Sequence, residues 1–219
     1  MQRSPWEIII LKPTQVFLSF LAAQLPEAAL PSLQLLQTNT TAYTIRKQED
    51  DEATLDEIER HFPSMFRHEI CRWLGEDAHH EVEASFLDFL CCFKFELHSQ
   101  IVLMEPSINE GQHLLCIKPR SVLLKWMRSS LEEDDDDEAS TVLERVNLSH
   151  LTENATVVIK NFKQLADIKP FVKQYYRPIF KAEMLRMCER AEQWPDVNSF
   201  QDFSRYFSVE IHTQLIHLH

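Results

Sequence analysis

Val82-Glu-Ala-Ser-Phe-Leu-Asp-Phe-Leu-Cys-Cys-Phe-Lys-Phe-Glu-Leu97 is the longest apolar segment of the chain, and it carries two periods at once. At 100° per residue, Val82, Phe86, Phe89, Leu90, Phe93 and Leu97 fall within about a 100° sector. Leu87, Cys91 and Phe95 make a second apolar strip roughly opposite. Phe93-Lys-Phe-Glu-Leu-His98 also alternates with period two, the pattern of a half-buried strand. The helical stripe is the longer, so the segment predicts a helix to about Gln100. A helix apolar on two sides is buried between layers or carries a partner surface, and Leu87 and Phe95 are the candidates for that surface.

Working outward, Trp6–Leu11 reads as a buried strand before Lys12-Pro13. Thr14 caps a helix running to Leu25. Ser32–Gln37 and Thr41–Arg46 read as two strands, with a hairpin through Thr38-Asn39-Thr40. Thr54-x-x-Glu57 is a capping box opening a helix that Pro63 ends or kinks. Ser64 caps a second helix closed by Gly75. Ile101–Met104 and His113–Ile117 flank a turn-rich loop and suit a hairpin. Ser121 opens another helix, Thr141–Leu151 a weaker one, and Ala155–Lys160 is a strand. Pro170 starts a helical region reaching Trp194, Ser199-x-x-Asp202 opens a short helix, and Ser208–His219 reads as a closing strand. The expected class is α+β, helix-dominated, with a few short antiparallel strands. No internal repeat is expected. The acidic run Glu132–Glu138 marks a linker between a part at 1–131 and a smaller part at 139–219 sharing the same core.

Composition removes several enzyme classes. The chain has 219 residues but only two glycines, Gly75 and Gly111, where average usage of roughly 7% predicts about fifteen. Phosphate-cradling loops need glycine for close backbone approach. The G-x-G-x-x-G, G-x-x-x-x-G-K-[ST] and G-x-S-x-G patterns are absent. Net charge is −12, which argues against nucleic-acid binding. Glu49–Glu59 and Glu132–Glu138 hold seven carboxylates each, leaving twenty acids against twenty-two bases elsewhere. The five cysteines are odd in number, lack a C-x-x-C and include the adjacent pair Cys91-Cys92, so reduced thiols in a cytoplasmic protein are expected. The apolar run Ile8–Leu11 is too short for a signal peptide.

Few constellations point to chemistry. His68 and Cys71 lie one helical turn apart, with His61, His79 and His80 nearby, but the spacing fits no zinc pattern and no metal is expected. Cys71 or Cys91 beside a histidine would make a nucleophile pair, yet nothing marks either thiol as activated. No catalytic residue and no cofactor are expected. The most informative feature is electrostatic. Lys169, Lys173, Arg177 and Lys181 recur every four residues, opposite Phe171, Val172, Tyr175, Tyr176 and Ile179. From Lys160 to Arg190 there are eight bases and three acids. Such a basic amphipathic helix suits an acidic partner or, peripherally, an anionic membrane.

Trp6–Leu21 and Phe86–His98, with the glycine-poor usage around them, resemble small Legionella-type proteins. The nearest class is accessory subunits of the Dot/Icm type IVB secretion coupling complex. That resemblance implies a cytoplasmic, non-enzymatic subunit and supplies no catalytic residue. The expected function is a non-enzymatic interaction protein: an adaptor, chaperone or assembly subunit in a hetero-oligomeric complex. Lys169, Lys173, Arg177, Lys181, Leu87 and Phe95 are its candidate contact residues. The alternatives are an enzyme or secreted effector with a Cys/His site, and a membrane-surface regulator acting through 169–190.

Overall fold

The structure is a computed structural model that describes residues 4–26, 29–38, 40–76, 84–105, 107–109, 111–131 and 146–218. The fold is α+β. The chain divides into two compact units, one of Met1–Ser99, Asn109–Gly111 and His212–His219, the other of Gln100–Ile108 and Gln112–Ile211.

The first unit is built on β1 (Trp6–Pro13), whose Ile8, Ile9, Ile10 and Leu11 are buried. β1 pairs antiparallel with β2 (Ala42–Arg46) and β3 (Phe93–His98). β8 (Leu215–His217) adds parallel to β2, giving the order β3-β1-β2-β8. Between β1 and β2 run α1 (Gln15–Ala22), capped by Thr14, and α2 (Leu33–Leu36), capped by Ser32. α3 (Asp51–Leu74) and α4 (Phe86–Cys92) follow. The core joins Ile9, Phe17, Leu36, Tyr43, Ile58, Phe66, Phe89 and Phe93.

α4 ends where Phe93 adopts extended geometry (φ −133°, ψ 137°). The carbonyls of a helix's last turn lack partners within the helix. Here Thr14 supplies them: its N–H donates to Cys92 O at 2.9 Å and its hydroxyl to Cys91 O at 2.7 Å. The switch from period 3.6 to period two is thus held by a residue some eighty positions upstream.

The second unit repeats the first. β5 (His113–Pro119), β6 (Val157–Lys160), β7 (Phe207–His212) and β4 (Ile101–Leu103) stand in the order β7-β5-β6-β4. β5 and β6 are antiparallel, and β4 is parallel to β6. The helices are α5 (Ser121–Leu131), α6 (Leu148–Thr152), α7 (Ile168–Met187) and α8 (Phe200–Tyr206). Each has its counterpart in the first unit. Ser85-Phe-x-Asp-Phe-x-x-x-Phe-x-x-Glu-x-His98 recurs as Ser199-Phe-x-Asp-Phe-x-x-x-Phe-x-x-Glu-x-His212, and Phe66-Arg-x-Glu-x-x-Arg72 as Phe180-Lys-x-Glu-x-x-Arg186. Lys12-Pro13 recurs as Lys118-Pro119 before α5.

The interactions recur with the residues. Both Ser85/Asp88 and Ser199/Asp202 form capping boxes. Thr14 N–H to Cys92 O at 2.9 Å matches Arg120 N–H to Tyr206 O at 2.8 Å. The rings Phe89–Phe93 (5.4 Å) match Phe203–Phe207 (5.3 Å), and Phe66–Phe93 (6.0 Å) match Phe180–Phe207 (6.2 Å). The fourth strands are exchanged along the chain. Ser99-Gln-Ile-Val102 leads into β4 after the first repeat and completes the second sheet; Thr213-Gln-Leu-Ile216 leads into β8 after the second repeat and completes the first.

Several expectations are corrected. An internal repeat exists. The chain divides near Ser99 and Ile211, not at Glu132–Glu138, because α5 and α6 on either side of that run belong to one unit. The run itself lies outside the described residues. Ser32–Gln37 is a capped helical turn, so no hairpin joins it to β2. Asp50, not Thr54, caps α3 by accepting from Ala53 N–H at 2.8 Å. α3 runs through Pro63, so Ser64 starts nothing. Residues 93–98 form a strand instead of continuing a helix to Gln100. β4 and β5 are separated by β6 and form no hairpin. The closing segment is two strands in two sheets, and the sheets are mixed rather than purely antiparallel.

Equivalent positions predict equivalent losses. Phe89→Ala and Phe203→Ala, each truncating a ring at most 1% exposed, should each cost about 3–5 kcal/mol, read by urea denaturation. Leu87→Ala, at a side chain 70% exposed, should stay within about 0.5 kcal/mol. A second prediction concerns acid. Hydrogen bonds from Ser85 and Ser199 hold the Asp88 and Asp202 carboxyls below their ordinary value of 3.8. A depressed carboxyl stabilises the fold above its unfolded-state value and loses that contribution as pH falls through the folded-state one. Melting curves of the wild type and an Asp88→Ala/Asp202→Ala variant should therefore differ at neutral pH and converge below pH 3.8.

Candidate interaction surface

α7 carries the basic stripe. It is continuous from Ile168 to Met187, with Pro178 inside it, so Arg177-Pro178 does not separate two helices. Its buried face holds Ile168, Phe171, Val172, Ile179, Ala182, Glu183 and Met184. Lys169, Lys173, Arg177 and Lys181 are all exposed, as their spacing of every four residues predicts. The Arg177 guanidinium lies 5.8 Å from the Tyr176 ring centre and donates through Nε to Tyr176 Oη at 3.1 Å. Tyr176 Oη in turn donates to Asn198 O at 2.9 Å. Arg177 is therefore held against its own helix, while the three lysines extend along the same solvent face.

Beside the first of these lysines, α7, α8 and β7 enclose an open groove of about 480 Å³. Phe200, Val209 and Ile211 line it as half-buried apolar side chains, and Leu165 stands 56% exposed at its edge. Arg120 and Lys169 are its basic residues. The two serines in its lining are internally satisfied: Ser204 Oγ donates to Phe200 O at 2.8 Å and Ser208 Oγ to Lys118 O at 3.4 Å. Composition and charge did not point to this groove. The repeat would have, because it shows which lining positions differ between two copies of one fold.

The two apolar contact candidates do not share a strip. Leu87 is on α4, 70% exposed, and Phe95 is on β3, half-buried against the first core. Period two, not 3.6, governs Phe95, so the paired surface expected from a single long helix does not form. Both residues belong to the first unit and the basic stripe to the second.

Of the Cys/His alternative, His68 and Cys71 have separate partners among the described residues. Cys71 Sγ donates to Glu76 O at 3.9 Å, and His68 packs edge-on to Tyr43 with centroids 6.1 Å apart. Among the described residues no three His, Cys, Asp or Glu side chains converge as a metal site; His79 and His80 lie outside those residues. No disulfide joins any of the five cysteines. Burial, with the neighbouring Cys91 and Asp88, pushes the Cys92 thiol up to about 11. A raised thiol stays protonated, and so unreactive, well below that value. Iodoacetamide at pH 8 should thus leave Cys92 unmodified in the native protein and alkylate the exposed Cys91, as peptide mass mapping would read. No family model, curated protein or solved structure matches the chain.

Proposed function

We propose that the protein is a non-enzymatic interaction subunit that presents the basic face of α7 to an acidic partner, as part of a larger cytoplasmic assembly. The observation that carries this reading is the difference between the repeats. Lys169, Lys173 and Arg177 stand where the first repeat has Leu55, Glu59 and Pro63. Both repeats build the same sheet order and helix set, so folding does not demand the positive charges. Clustered like charges cost self-repulsion and are retained for steering and orienting a partner. The remaining lysine, Lys181, matches Arg67 and so is not special to the second unit.

Other features agree with this reading. No disulfide joins the five cysteines, as suits a reducing compartment. No described helix is long and apolar enough to cross a membrane. The resemblance of Trp6–Leu21 and Phe86–His98 to secretion coupling-complex subunits is in keeping with an accessory, surface-presenting role.

The test is charge reversal. Titrating poly-L-glutamate into the protein at low salt should give binding that Lys169→Glu/Lys173→Glu weakens at least tenfold and that 0.5 M salt abolishes, since screening at that strength is strong. Leu87→Ser should leave it unchanged. Unaltered binding by the lysine variant would reject the α7 face. Retention of phosphatidylserine vesicles in preference to polyglutamate would favour the membrane-surface alternative instead.

A further inference from the structure

We propose that the groove between α7, α8 and β7 is a docking site for an acidic segment of a partner protein that inserts a large apolar side chain beside Ser204 and Val209. This rests on the reading of α7 as a partner-facing helix and adds what the partner must carry. The first unit shows what the groove lacks. Ser204 and Val209 stand where the first repeat has Leu90 and Phe95, and both of those pack against the first hydrophobic core. The second unit keeps the same elements with smaller side chains at both positions: Val209 packs against its own core as Phe95 does but is the smaller residue, and Ser204 adds no apolar bulk. What remains is about 480 Å³ of open space lined by Phe200, Val209 and Ile211, within the size range of sites that seat a ligand's anchoring groups.

The chemistry of the occupant follows from the lining. Ser204 and Ser208 already give their hydroxyls to backbone carbonyls. The floor therefore asks for no hydrogen-bonding partner, and an apolar anchor of leucine or phenylalanine size suits it. The rim asks for the opposite. Arg120 and Lys169 are exposed beside the groove, at positions where the first repeat has Thr14 and Leu55. Smaller lining side chains and rim cations thus occur together in one copy. Apolar anchors set in a polar, charge-matched rim are the usual anatomy of a small protein-protein contact.

The test compares two fluorescein-labelled peptides by anisotropy on the full chain: Glu-Asp-Leu-Glu-Asp-Phe-Leu-Glu-Asp and the same peptide with its apolar residues changed to serine. The wild type should bind the apolar-containing peptide at least tenfold more tightly. Ser204→Leu/Val209→Phe, which restores the first repeat's residues, should erase that preference while leaving polyglutamate binding intact. Should the double variant fail to melt cooperatively, Val209→Phe alone should reduce the preference. Equal affinity for the two peptides, or a filled variant that binds like the wild type, would overturn the proposal. So would a wild-type dimer seen by light scattering, or phosphatidylserine vesicle binding, that the filled variant loses, since each assigns the groove to another occupant. Absence of polyglutamate binding by the wild type would count against the α7 reading itself, a failure distinguishable from that of the groove.

Discussion

A carboxylate buried away from water has to be paired, and each unit is organised around one that is. Glu183 is fully buried on α7; Arg186 Nη2 meets its Oε1 at 2.5 Å and the Thr156 N–H donates to its Oε2 at 2.8 Å. Arg186 also donates to Leu151 O at 2.7 Å and Glu153 O at 3.2 Å. The long helix is thereby fastened to the end of α6 and to the start of β6. In the first unit Glu69, 2% exposed, accepts from Tyr43 Oη at 3.0 Å, and Arg72 Nη1 donates to Thr41 Oγ1 at 3.1 Å. Removing one partner from a buried pair of this kind costs about 3–5 kcal/mol, because the other charge is left uncompensated. Apolar packing is tolerant of sliding, whereas these bonds are not, so the pair fixes the register of the helix on the strand it covers.

The second shared constraint is the abrupt change from α4 to β3 and from α8 to β7. A short helix opened by a Ser-x-x-Asp box turns directly into a strand, with no intervening loop. Three phenylalanines bridge the change. Phe86 and Phe89 stack on one helix face at 6.2 Å, and Phe93 follows on the strand at 5.4 Å from Phe89. Because the rings contact across the junction, the helix and strand bury into one core, and the same spacing recurs in Phe200, Phe203 and Phe207.

What was legible in the sequence was local. Thr14 and Ser199 cap the helices their spacing marks, and Trp6–Leu11, Thr41–Arg46 and Ala155–Lys160 contain strands. The exposed lysines of α7 follow from period alone. What was not legible depended on distant partners. Phe93 fits both a helical stripe and an alternating strand, and the Thr14 bonds that decide between them come from the other end of the unit. Asp50 and Thr54 both precede apolar residues at capping distance, and neighbouring carboxylates obscure which one starts α3. The repeat was hidden by its insertion. β1 and β5 are offset by 106 residues, whereas α4 and α8 are offset by 114, because the second copy has a longer connection before α6. The shared residues are scattered at capping, aromatic and ion-pair positions, so no continuous stretch of identity announces them.

Two copies of one fold in one chain separate what folding requires from what it permits. Positions held in common do structural work: the serine–aspartate boxes, the bridging phenylalanines and the buried Glu-x-x-Arg pairs. Positions that differ are free of that demand, and their differences are not evenly placed. The first copy puts Leu90 and Phe95 against its core and carries Leu55 and Glu59 on its long helix; the second has Ser204, Val209, Lys169 and Lys173. Drift alone would leave a small residue in a core compensated by a larger neighbour, because voids lose dispersion contacts and apolar burial. Here the space stays open and its rim gains cations. The fold itself asks for neither the open apolar lining nor the cations beside it, since the first copy is built without them, and on the reading proposed above their coincidence in one copy serves a partner.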